Sequence, residues 1–381
     1  MRLVLITSHA ESLVGFRWVL LNRLIDAGWR VYALAPNHTA NTTELLKSIG
    51  VTPVEIILNR AGINPLFDLV SLINIYTVLR RIKPNAVLSY FIKPVVYGTL
   101  ASYFAGVKKR YAMIEGLGYV FTYPQEQLSF YQKILKFIVA NLYRASLFFA
   151  DKVIFLNPDD LREFTQIGLV EPCKSLCING IGVDLDKWCK VDLLFKPMRF
   201  LMVARLLREK GVYEFAQAAR YVKLKYPQAE FVLLGGLDSN PGSIQLKQVK
   251  DWHDSSVLTW HGHVPVTGHM KDASVFVLPS YREGVPVSTM EAMAMGRPVI
   301  TTDVPGCRET VLDGVNGFLV PAKDAVMLAE KMIWFIENPS SIPAMGAASR
   351  KMAEEKFDVH KINAQLMQIL LGNEGENEKI A

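Results

Sequence analysis

The feature that most constrains the fold of this chain is an alternation of short apolar runs with longer amphipathic segments, which begins at its first residues. The runs RLVLIT and RVYALAP flank an amphipathic segment from Phe16 to Ala27, and Gly28 follows that segment. Short apolar runs predict buried strands, and a period near 3.6 that stops at glycine predicts a helix. A strand, a helix and a second strand in this order predict a βαβ unit of a parallel sheet.

The alternation continues through VEIIL, AVLSY, RYAMI and DKVIFL, fails between Asn179 and Pro197, and restarts with the predicted strands MRFLMVA, EFVLLGG, VLTWHGHV, ASVFVLP and RPVITTD. A chain of 381 residues is also too long for one ordinary core. We therefore expect an α/β fold with two Rossmann-like, doubly wound domains, at 1–190 and 191–360, followed by a helix and a polar tail at 361–381. The carboxyl ends of both sheets are expected to face a central cleft, where open α/β sheets bind ligands.

The composition excludes several classes of protein. The four cysteines show no CxxC spacing, so neither a zinc site nor a disulfide scaffold is indicated and a reducing cytosol fits best. A net charge of +6 is small, and no basic platform with interleaved aromatic residues is visible, which disfavours nucleic-acid binding. The run LVLIT meets His9 and Glu11 too soon for a targeting segment, so it is read as a strand.

The segment from Ser280 to Thr302 is the most informative part of the chain for function. It supplies Glu283 and Gly284 in a loop and Glu291 in the helix that follows. A helix amino terminus offers amides to an anion such as a diphosphate, and a carboxylate accepts hydrogen bonds from sugar hydroxyls. Ser288 and Glu291 also have the spacing of a capping box, which would give both a purely structural role, but this alternative leaves Glu283 unexplained.

A second group of polar residues follows the strand MRFLMVA, where ARLLREKG places Arg205 and Lys210 in the turn before the next helix. Two cations five residues apart suit the two phosphates of a nucleoside diphosphate. Taken alone, such a group is usually a solvated turn.

Together the two segments resemble glycosyltransferase family 4, which has the GT-B architecture and a signature of two glutamates separated by seven residues. The resemblance rests on Glu283 and Glu291, on Arg205 and Lys210, and on the stretches VLLGG, GHV, VLPS, EAMAMGRPVI and DGVNGFLVP. It implies a retaining transferase in which Arg205 and Lys210 hold the donor diphosphate, Glu283 contacts the transferred sugar and Glu291 binds the ribose. It further implies donor contacts from these positions: Gly15, Gly262, His263, Val264, Gly284, Val285, Val287 and Ser288.

The acceptor side departs from the family pattern. Many relatives carry a histidine in the loop after the RYAMI-like strand, where this chain has the stretch EGLGY starting at Glu115. Either Glu115 or His9 can then lie beside the acceptor hydroxyl. A turn without chemistry at this GLG is the remaining alternative.

No metal and no cofactor are expected, and the donor itself is a substrate. Asp184 and Asp186 form a DxD pattern, but similar stretches in the family are structural. His261, His263 and His269 lack partner carboxylates or cysteines and make a poor ligand set.

Within the family, the stretches IEGLGYVFT, NGIGVDLDKW and ARLLREKGVYEF look most like bacterial enzymes of surface-polysaccharide and lipid-linked oligosaccharide assembly. This resemblance suggests a UDP-N-acetylhexosamine donor, with N-acetylgalactosamine as the best guess, and an undecaprenyl-diphosphate-linked saccharide as acceptor. The alternatives are a GT-B-type UDP-sugar 2-epimerase and a non-catalytic nucleotide-sugar-binding protein.

The stretch from Ser129 to Ala150 combines Lys133, Lys136 and Arg144 with many large apolar side chains. Three cations make it a poor span across ~30 Å of hydrocarbon. A helix lying in an anionic membrane surface and an ordinary packing helix are both compatible with it. With the lipid-linked acceptor, the stretch suggests a cytoplasmic protein that associates peripherally with the inner face of the cell membrane.

Overall fold

A computed structural model of the protein describes residues 1–59, 62, 64–117, 121, 129–192, 197–238, 240 and 242–371. The chain forms two compact units. The first contains Met1–Ile181 and the residues from His360 onward, and the second contains Gly182–Val359. The division lies nine residues before the expected one at 190, and the C-terminal helix belongs to the first unit.

The first unit is built on a parallel sheet with the described strands in the order β3-β2-β1-β4-β5-β6-β7. These strands are β1 (Arg2–Ile6), β2 (Arg30–Ala35), β3 (Thr52–Glu55), β4 (Ala86–Tyr90), β5 (Lys109–Ile114), β6 (Lys152–Phe155) and β7 (Ser175–Cys177). The helices are α1 (Glu11–Gly15), α2 (Trp18–Asp26), α3 (Ala40–Ser48), α4 (Pro65–Ile82), α5 (Thr99–Phe104, preceded by a π-helical turn at Pro94–Gly98), α6 (Phe130–Phe148), α7 (Pro158–Gln166) and α14 (Val359–Leu371).

One face of this sheet is covered by α4, α5 and α6. Its buried side chains alternate along the strands, as the pleat requires, and include Val4, Val87, Ala112, Val153 and Phe155. On the opposite face, the Tyr111 hydroxyl donates to the carbonyl of Leu370 at 3.1 Å, which ties α14 to β5. Helices therefore cover both faces, as in a doubly wound fold.

The second unit contains a parallel sheet with the described strands in the order β10-β9-β8-β11-β12-β13. The strands are β8 (Arg199–Val203), β9 (Glu230–Leu234), β10 (Thr259–Trp260), β11 (Val275–Leu278), β12 (Val299–Thr302) and β13 (Gly317–Val320). The helices are α8 (Val212–Lys225), α9 (Leu246–Asp254), α10 (Val266–Asp272), α11 (Val287–Ala294), α12 (Ala325–Glu337) and α13 (Ile342–Lys356).

Two differences from the sequence-based expectation have local causes. The predicted helix from Phe16 to Ala27 is a single helix, α2, which begins two residues later than expected, because Arg17 occupies its N-cap position with φ −108° and ψ 2°. A separate short helix, α1, precedes it and ends at Gly15. The predicted strand VLTWHGHV is reduced to Thr259–Trp260, because Gly262 adopts φ +72° and ends the extended run. Among the described residues, no helix combines the length and the apolar character that a membrane crossing requires.

Candidate functional site

Except for Gly15, which lies in the first unit, the residues that the sequence assigns to the donor follow strands of the second sheet at its carboxyl edge. Arg205 and Lys210 follow β8, Gly262 follows β10, and Glu283 follows β11. Strands β8 and β11 are hydrogen-bonded neighbours, so the loops after them leave the sheet side by side. Parallel strands thus bring together residues that are far apart in the chain.

Three glycines allow these loops to approach one another closely. An added Cβ on Gly211 would overlap the Pro279 carbonyl oxygen, and one on Gly235 would overlap the Ala204 carbonyl oxygen. One on Gly306 would overlap the carbonyl oxygens of Glu283 and Gly284. All three adopt positive φ, which only glycine tolerates readily. Gly235, which lies against the residue before Arg205, and Gly306, which lies against Glu283, therefore set the positions of these two side chains.

Lys210 and Glu283 form a salt bridge, with Lys210 Nζ 2.6 Å from Glu283 Oε1. The Ser280 hydroxyl donates to the same oxygen at 2.8 Å. The two side chains are 17% and 12% exposed, so each is largely buried but still reaches solvent. The structure thus brings together the lysine and the glutamate that were singled out from separate segments. Ser280 was missed, because a serine at a strand end carries no distinctive pattern.

Arg205 lies in the same loop as Lys210, but it pairs with a different carboxylate, that of Asp238. Its Nη1 donates to Asp238 Oδ2 at 2.8 Å, and the arginine side chain is 48% exposed whereas Asp238 is 8% exposed. The other oxygen of Asp238 accepts from the Asn240 backbone amide at 3.0 Å. Asp238 therefore orients the guanidinium of Arg205 through one of its terminal nitrogens, while about half of the arginine side chain stays exposed. The sequence did not single out Asp238, which lies in the loop after β9.

Glu291 lies in the second turn of α11, and the capping-box interpretation of Ser288 and Glu291 is wrong. The helix begins at Val287, Pro286 occupies the N-cap position, and no side chain caps this end. Ser288 is therefore already inside the helix. Burial raises the pKa of Glu291 to about 7, and nearby Lys187 opposes that rise. Burial of this carboxylate costs free energy, and the side chain does not cap the helix. Glu291 is therefore a candidate for ligand binding.

The remaining predicted donor residues surround the same edge of the sheet. Gly284 and Val285 form the loop before α11, and Val287 and Ser288 form its first turn, whose amides have no acceptor inside the helix. Gly262, His263 and Val264 follow β10, and the Gly262 carbonyl accepts from the Gly235 amide at 2.8 Å. The arrangement suits an anion at the amino terminus of α11 and a polar ligand along the loops.

In the first unit, Glu115 lies directly after β5 and forms a salt bridge with Arg17. Burial raises the pKa of Glu115, and the Arg17 guanidinium opposes this rise. Arg17 was missed, because a single arginine between two helices has no pattern that predicts a partner 98 residues away. Gly15 lies ahead of α2, the predicted first helix, and is the last residue of the short helix α1; it is exposed, and a Cβ added to it would have no atom within 4 Å. His9 Nε2 lies 3.9 Å from Glu11, and both side chains are well exposed.

Other candidates from the sequence have ordinary structural surroundings. Asp184 accepts hydrogen bonds at 3.0 Å from the backbone amides of Asp186 and Lys187, which makes it a turn-forming residue. The rings of His261 and His269 lie 4.6 Å apart. The described ranges contain no cluster of three histidine, cysteine or acidic residues arranged to hold a metal. Gly118 and Tyr119 of the EGLGY stretch lie outside the described residues.

Two family models match the chain. Residues 3–157 match the "Glycosyl transferase 4-like" model, and residues 197–338 match "Glycosyl transferases group 1". Together the two matched ranges span well over half of the chain, and each falls almost entirely within one of the two units.

Named relatives and solved structures agree with these matches. The chain is 29% identical over 353 residues to the N,N'-diacetylbacillosaminyl-diphospho-undecaprenol alpha-1,3-N-acetylgalactosaminyltransferase of Campylobacter jejuni, covering 89% of this chain and 90% of that one. It is 28% identical to the UDP-Gal:alpha-D-GlcNAc-diphosphoundecaprenol alpha-1,3-galactosyltransferase of Escherichia coli, with 68% and 67% covered.

Among solved structures, sucrose-phosphate synthase from Thermosynechococcus elongatus superposes with a TM-score of 0.80 at 19% identity, over 98% of this chain and 99% of that one. Anabaena HepE in complex with UDP and glucose gives a TM-score of 0.76 at 18% identity, with 98% and 100% covered. These likenesses show that the two Rossmann-like units have the GT-B fold. The chain is therefore a glycosyltransferase of family 4, related to bacterial enzymes of polysaccharide biosynthesis.

Proposed function

We propose that the protein transfers an N-acetylhexosamine, specifically N-acetylgalactosamine, from a UDP-sugar to an undecaprenyl-diphosphate-linked saccharide. The reaction serves the assembly of a bacterial surface polysaccharide such as O-antigen or capsule, or of another glycan. The observation that carries this proposal is the Lys210–Glu283 pair at the carboxyl edge of β8 and β11. The names of the Campylobacter jejuni and Escherichia coli relatives supply the substrate class.

In this proposal the donor replaces the contact between Lys210 and Glu283. Lys210 and the half-exposed side chain of Arg205 then neutralise the negative charge of the diphosphate. Glu283 is then released to accept hydrogen bonds from hydroxyls of the transferred sugar, and Glu291 binds the ribose. Charge on the departing UDP grows as the sugar–phosphate bond breaks, so the two cations stabilise the transition state more than the bound donor.

We infer that the transfer retains the anomeric configuration and needs no metal ion. Two fixed side-chain cations supply the neutralisation that a divalent ion gives to phosphate in other enzymes. Retention follows when the acceptor attacks from the side of the leaving phosphate, and no side chain then has to bond covalently to the sugar.

The experiment that tests the activity is a donor panel. Purified protein is incubated with UDP- and GDP-sugars, with EDTA or Mg²⁺, in the presence and absence of a lipid-linked acceptor. We expect UDP release from a UDP-N-acetylhexosamine only when the acceptor is present, at similar rates with EDTA and Mg²⁺. Acceptor-independent conversion of the UDP-sugar would instead indicate an epimerase, and the absence of release from every donor would refute the proposal.

We propose further that the first unit binds the inner face of the cell membrane through α4 and α6. Phe130 and Leu66 are 80% and 78% exposed, and further apolar side chains are exposed beside them on the two helices. They are Leu69, Val70 and Ile73 on α4, and Tyr131, Ile134, Phe137 and Ile138 on α6. Both helices cover the same sheet face, so these side chains belong to one helix layer.

The charge of these helices favours an anionic lipid surface as the occupant. Helix α6 contains no acidic residue, and its cations are Lys133, Lys136 and Arg144. The one carboxylate of α4, Asp68, is buried and paired with Lys93 at 2.7 Å. Apolar side chains flanked by cations bind membranes through burial in the interface and attraction to anionic headgroups.

Vesicle flotation tests this attachment. We expect the protein to float with phosphatidylglycerol vesicles and to float less with phosphatidylcholine vesicles or at high salt. A Phe130→Ser, Phe137→Ser double variant should lose most of its binding. The control, Leu224→Ser, changes an equally exposed residue of the second unit, which is 86% exposed, and should bind as wild type does. Equal flotation of both variants would exclude α6 as the docking surface.

A further inference from the structure

A chain of hydrogen bonds links an exposed histidine of the second unit to the loops that carry the predicted donor residues. His253 lies in the last turn of α9, and its Nδ1 accepts a hydrogen bond from the Trp260 backbone amide at 3.2 Å. The Trp260 indole Nε1 donates to the Gly235 carbonyl at 3.0 Å, and the Gly235 amide donates to the Gly262 carbonyl at 2.8 Å. All four residues belong to the second unit. His253 therefore supports the corner between the loops after β9 and β10.

Gly235 connects this corner to the loop of Arg205. Its φ of +149° and its lack of a side chain let it lie against the Ala204 carbonyl, where an added Cβ would overlap the oxygen. Ala204 directly precedes Arg205, which the proposed function assigns to the donor diphosphate. A displacement of Trp260 would therefore affect two groups of predicted donor residues, the loop after β10 and Arg205.

The hydrogen bond from Trp260 requires a neutral His253 ring. A backbone amide can only donate, so Nδ1 of His253 must carry a lone pair, and the proton of the neutral ring lies on Nε2. Protonation places a hydrogen on both ring nitrogens and leaves no acceptor for the amide. Histidine is the side chain that ordinarily gains its charge at mildly acidic pH. Acidification should therefore remove the contact between His253 and Trp260.

Two further histidines lie beside the same corner. The rings of His261, in the loop after β10, and His269, on α10, are 4.6 Å apart. Together with His253 they form the histidine cluster. Partial burial lowers the pKa of His261, and the positive charges of His269, His253 and Arg199 lower it further. Protons added to the cluster therefore repel one another, and its charged form is disfavoured in the folded unit.

The charged groups around the histidine cluster do not cancel this repulsion. Arg199, at the start of β8, pairs with Glu230 at 2.7 Å and with Asp272 at 3.1 Å, so both carboxylates already have a cationic partner. Asp254, the last residue of α9, is exposed. In the described part of the chain, the neighbouring charges that act on His261 all lower its pKa, so no carboxylate there compensates its protonation.

We propose that neutral His253 positions the donor-binding loops of the second unit through Trp260, and that protonation of the histidine cluster releases these loops and weakens nucleoside-diphosphate binding. This inference rests on the proposed UDP-sugar donor. His253 acts through Trp260 and Gly235 and does not itself contact the donor, so it is a positioning residue.

The histidine cluster also gives the stability of the second unit a pH dependence of its own. Because the pKa of His261 is lowered in the folded unit, the unfolded chain binds this proton more readily than the folded one. Stability is therefore complete above the usual histidine pKa of about 6.5 and falls as the pH drops below it. Glu291 has the opposite effect on stability, and it is left unchanged in every variant of this test.

The test measures the Kd for UDP at pH 7.5 and pH 5.5 by calorimetry, with the full-length protein. We expect the wild type to bind UDP about fivefold more weakly or worse at pH 5.5. His253→Asn keeps an acceptor oxygen at the position of Nδ1 but cannot be protonated. It should bind as the wild type does at pH 7.5 and lose at least about threefold less affinity on acidification. His253→Ala has no acceptor and should already bind about fivefold more weakly at pH 7.5.

The pattern of the two variants separates positioning by a neutral ring from a general loss of structure. Wild-type affinity of His253→Ala at pH 7.5, or the same ratio of Kd values at the two pH values in wild type and His253→Asn, would overturn the inference. If His253→Ala does not fold, the ratio in His253→Asn decides.

The matched control is His360→Asn in the first unit. Nδ1 of His360 also faces a nitrogen donor, Arg23 Nη2 at 3.0 Å, so this variant alters a comparable contact outside the donor unit. UDP binding to it should depend on pH as in the wild type. A control that loses this dependence as His253→Asn does would remove the assignment to the histidine cluster.

Hydrogen exchange gives a readout that does not depend on UDP. After correction for the intrinsic rate, the Trp260 amide should lose protection between pH 7.5 and pH 5.5 in the wild type but not in His253→Asn. Equal protection of the wild-type amide at both pH values would overturn the inference alone. A wild type that binds no UDP at either pH would refute the proposed donor and the inference together.

Discussion

At the level of single residues, the salt bridge between Lys210 and Glu283 joins positions 73 residues apart. The convergence of these residues could be predicted, because the carboxyl ends of neighbouring parallel strands meet at one edge. Their partners Ser280 and Asp238, and Arg17 in the first unit, could not be predicted. Each is an isolated polar residue whose contact depends on loop geometry that no local pattern specifies.

The cation at position 210 should be essential for transfer. Lys210→Ala removes a charge that stabilises the departing UDP, so kcat/KM should fall about 100-fold or more. Lys225→Ala is the matched control, because it breaks another Lys–Glu pair of the same unit, with Glu337 at 2.7 Å, on the surface. Steady-state kinetics of both variants measure the difference. A loss in Lys210→Ala no larger than that of the control would remove Lys210 from the site.

Glu291 should contribute to binding at the expense of stability. Its pKa is raised from 4.5 to about 7 in the folded protein, so the folded state holds a proton that the unfolded chain releases between these values. Stability therefore falls as pH rises through this window, and the penalty is complete above pH 7.

Glu291→Gln should thus raise the free energy of unfolding at pH 8 by on the order of 2 kcal/mol, have no such effect at pH 4, and weaken UDP binding. Denaturant unfolding at the two pH values and calorimetric titration with UDP provide the measurements. A variant that is destabilised at pH 8 would contradict the assignment of Glu291 as a strained, ligand-binding carboxylate.

At the level of elements, the strands were predicted well because a parallel strand covered on both faces is a continuous apolar run. The ends of elements were predicted less well. The start of α2 at Trp18 and the start of α11 at Val287 depend on backbone conformations that the apolar pattern does not specify. The end of α11 was clearer, since Gly296 adopts φ +76° and the Arg297 amide donates to the Ala292 carbonyl at 2.9 Å, as in a Schellman motif.

The loop after β12 should control the position of Glu283. The Pro305 carbonyl accepts from the Glu283 amide at 3.0 Å, and Gly306 lies against the Glu283 and Gly284 carbonyls. Gly306→Ala should displace this loop and lower both transfer activity and stability. Gly314→Ala is the control, because Gly314 has a similar φ of +74° but open space around it.

Both glycines have a similar positive φ, so alanine adds similar backbone strain at each position. A difference in stability between the two variants therefore measures the steric overlap at Gly306. We expect Gly306→Ala to be less stable than Gly314→Ala by at least about 1 kcal/mol, measured by thermal or denaturant unfolding. Equal stability and equal activity would show that the close approach at Gly306 is unimportant.

At the level of the whole molecule, the length and the repeated alternation predicted two α/β units, and the structure and the comparisons confirm them. The assignment of the C-terminal helix to the first unit was not predictable. It depends on contacts such as that of Arg23 Nη1 with the His360 carbonyl at 2.8 Å, between residues 337 positions apart. An amphipathic helix at the end of a chain carries no signal of which sheet it covers.

The proposed attachment of helices α4 and α6 would hold the protein at the membrane, where a polyprenyl-linked acceptor resides. Addition of anionic vesicles should therefore lower the KM for the lipid-linked acceptor and leave the KM for the UDP-sugar unchanged. Kinetics with and without vesicles measure both constants, and an equal effect on both would argue against a specific role of the membrane in acceptor delivery.

Analysis of the reaction product tests the proposed sugar transfer most directly. The protein is incubated with UDP-N-acetylgalactosamine and an undecaprenyl-diphosphate-linked saccharide, and the lipid is analysed by mass spectrometry and by NMR of the new linkage. We expect a lipid-linked saccharide longer by one N-acetylhexosamine, joined with the anomeric configuration of the donor. An unchanged acceptor with every UDP-sugar, or a product of inverted configuration, would contradict it.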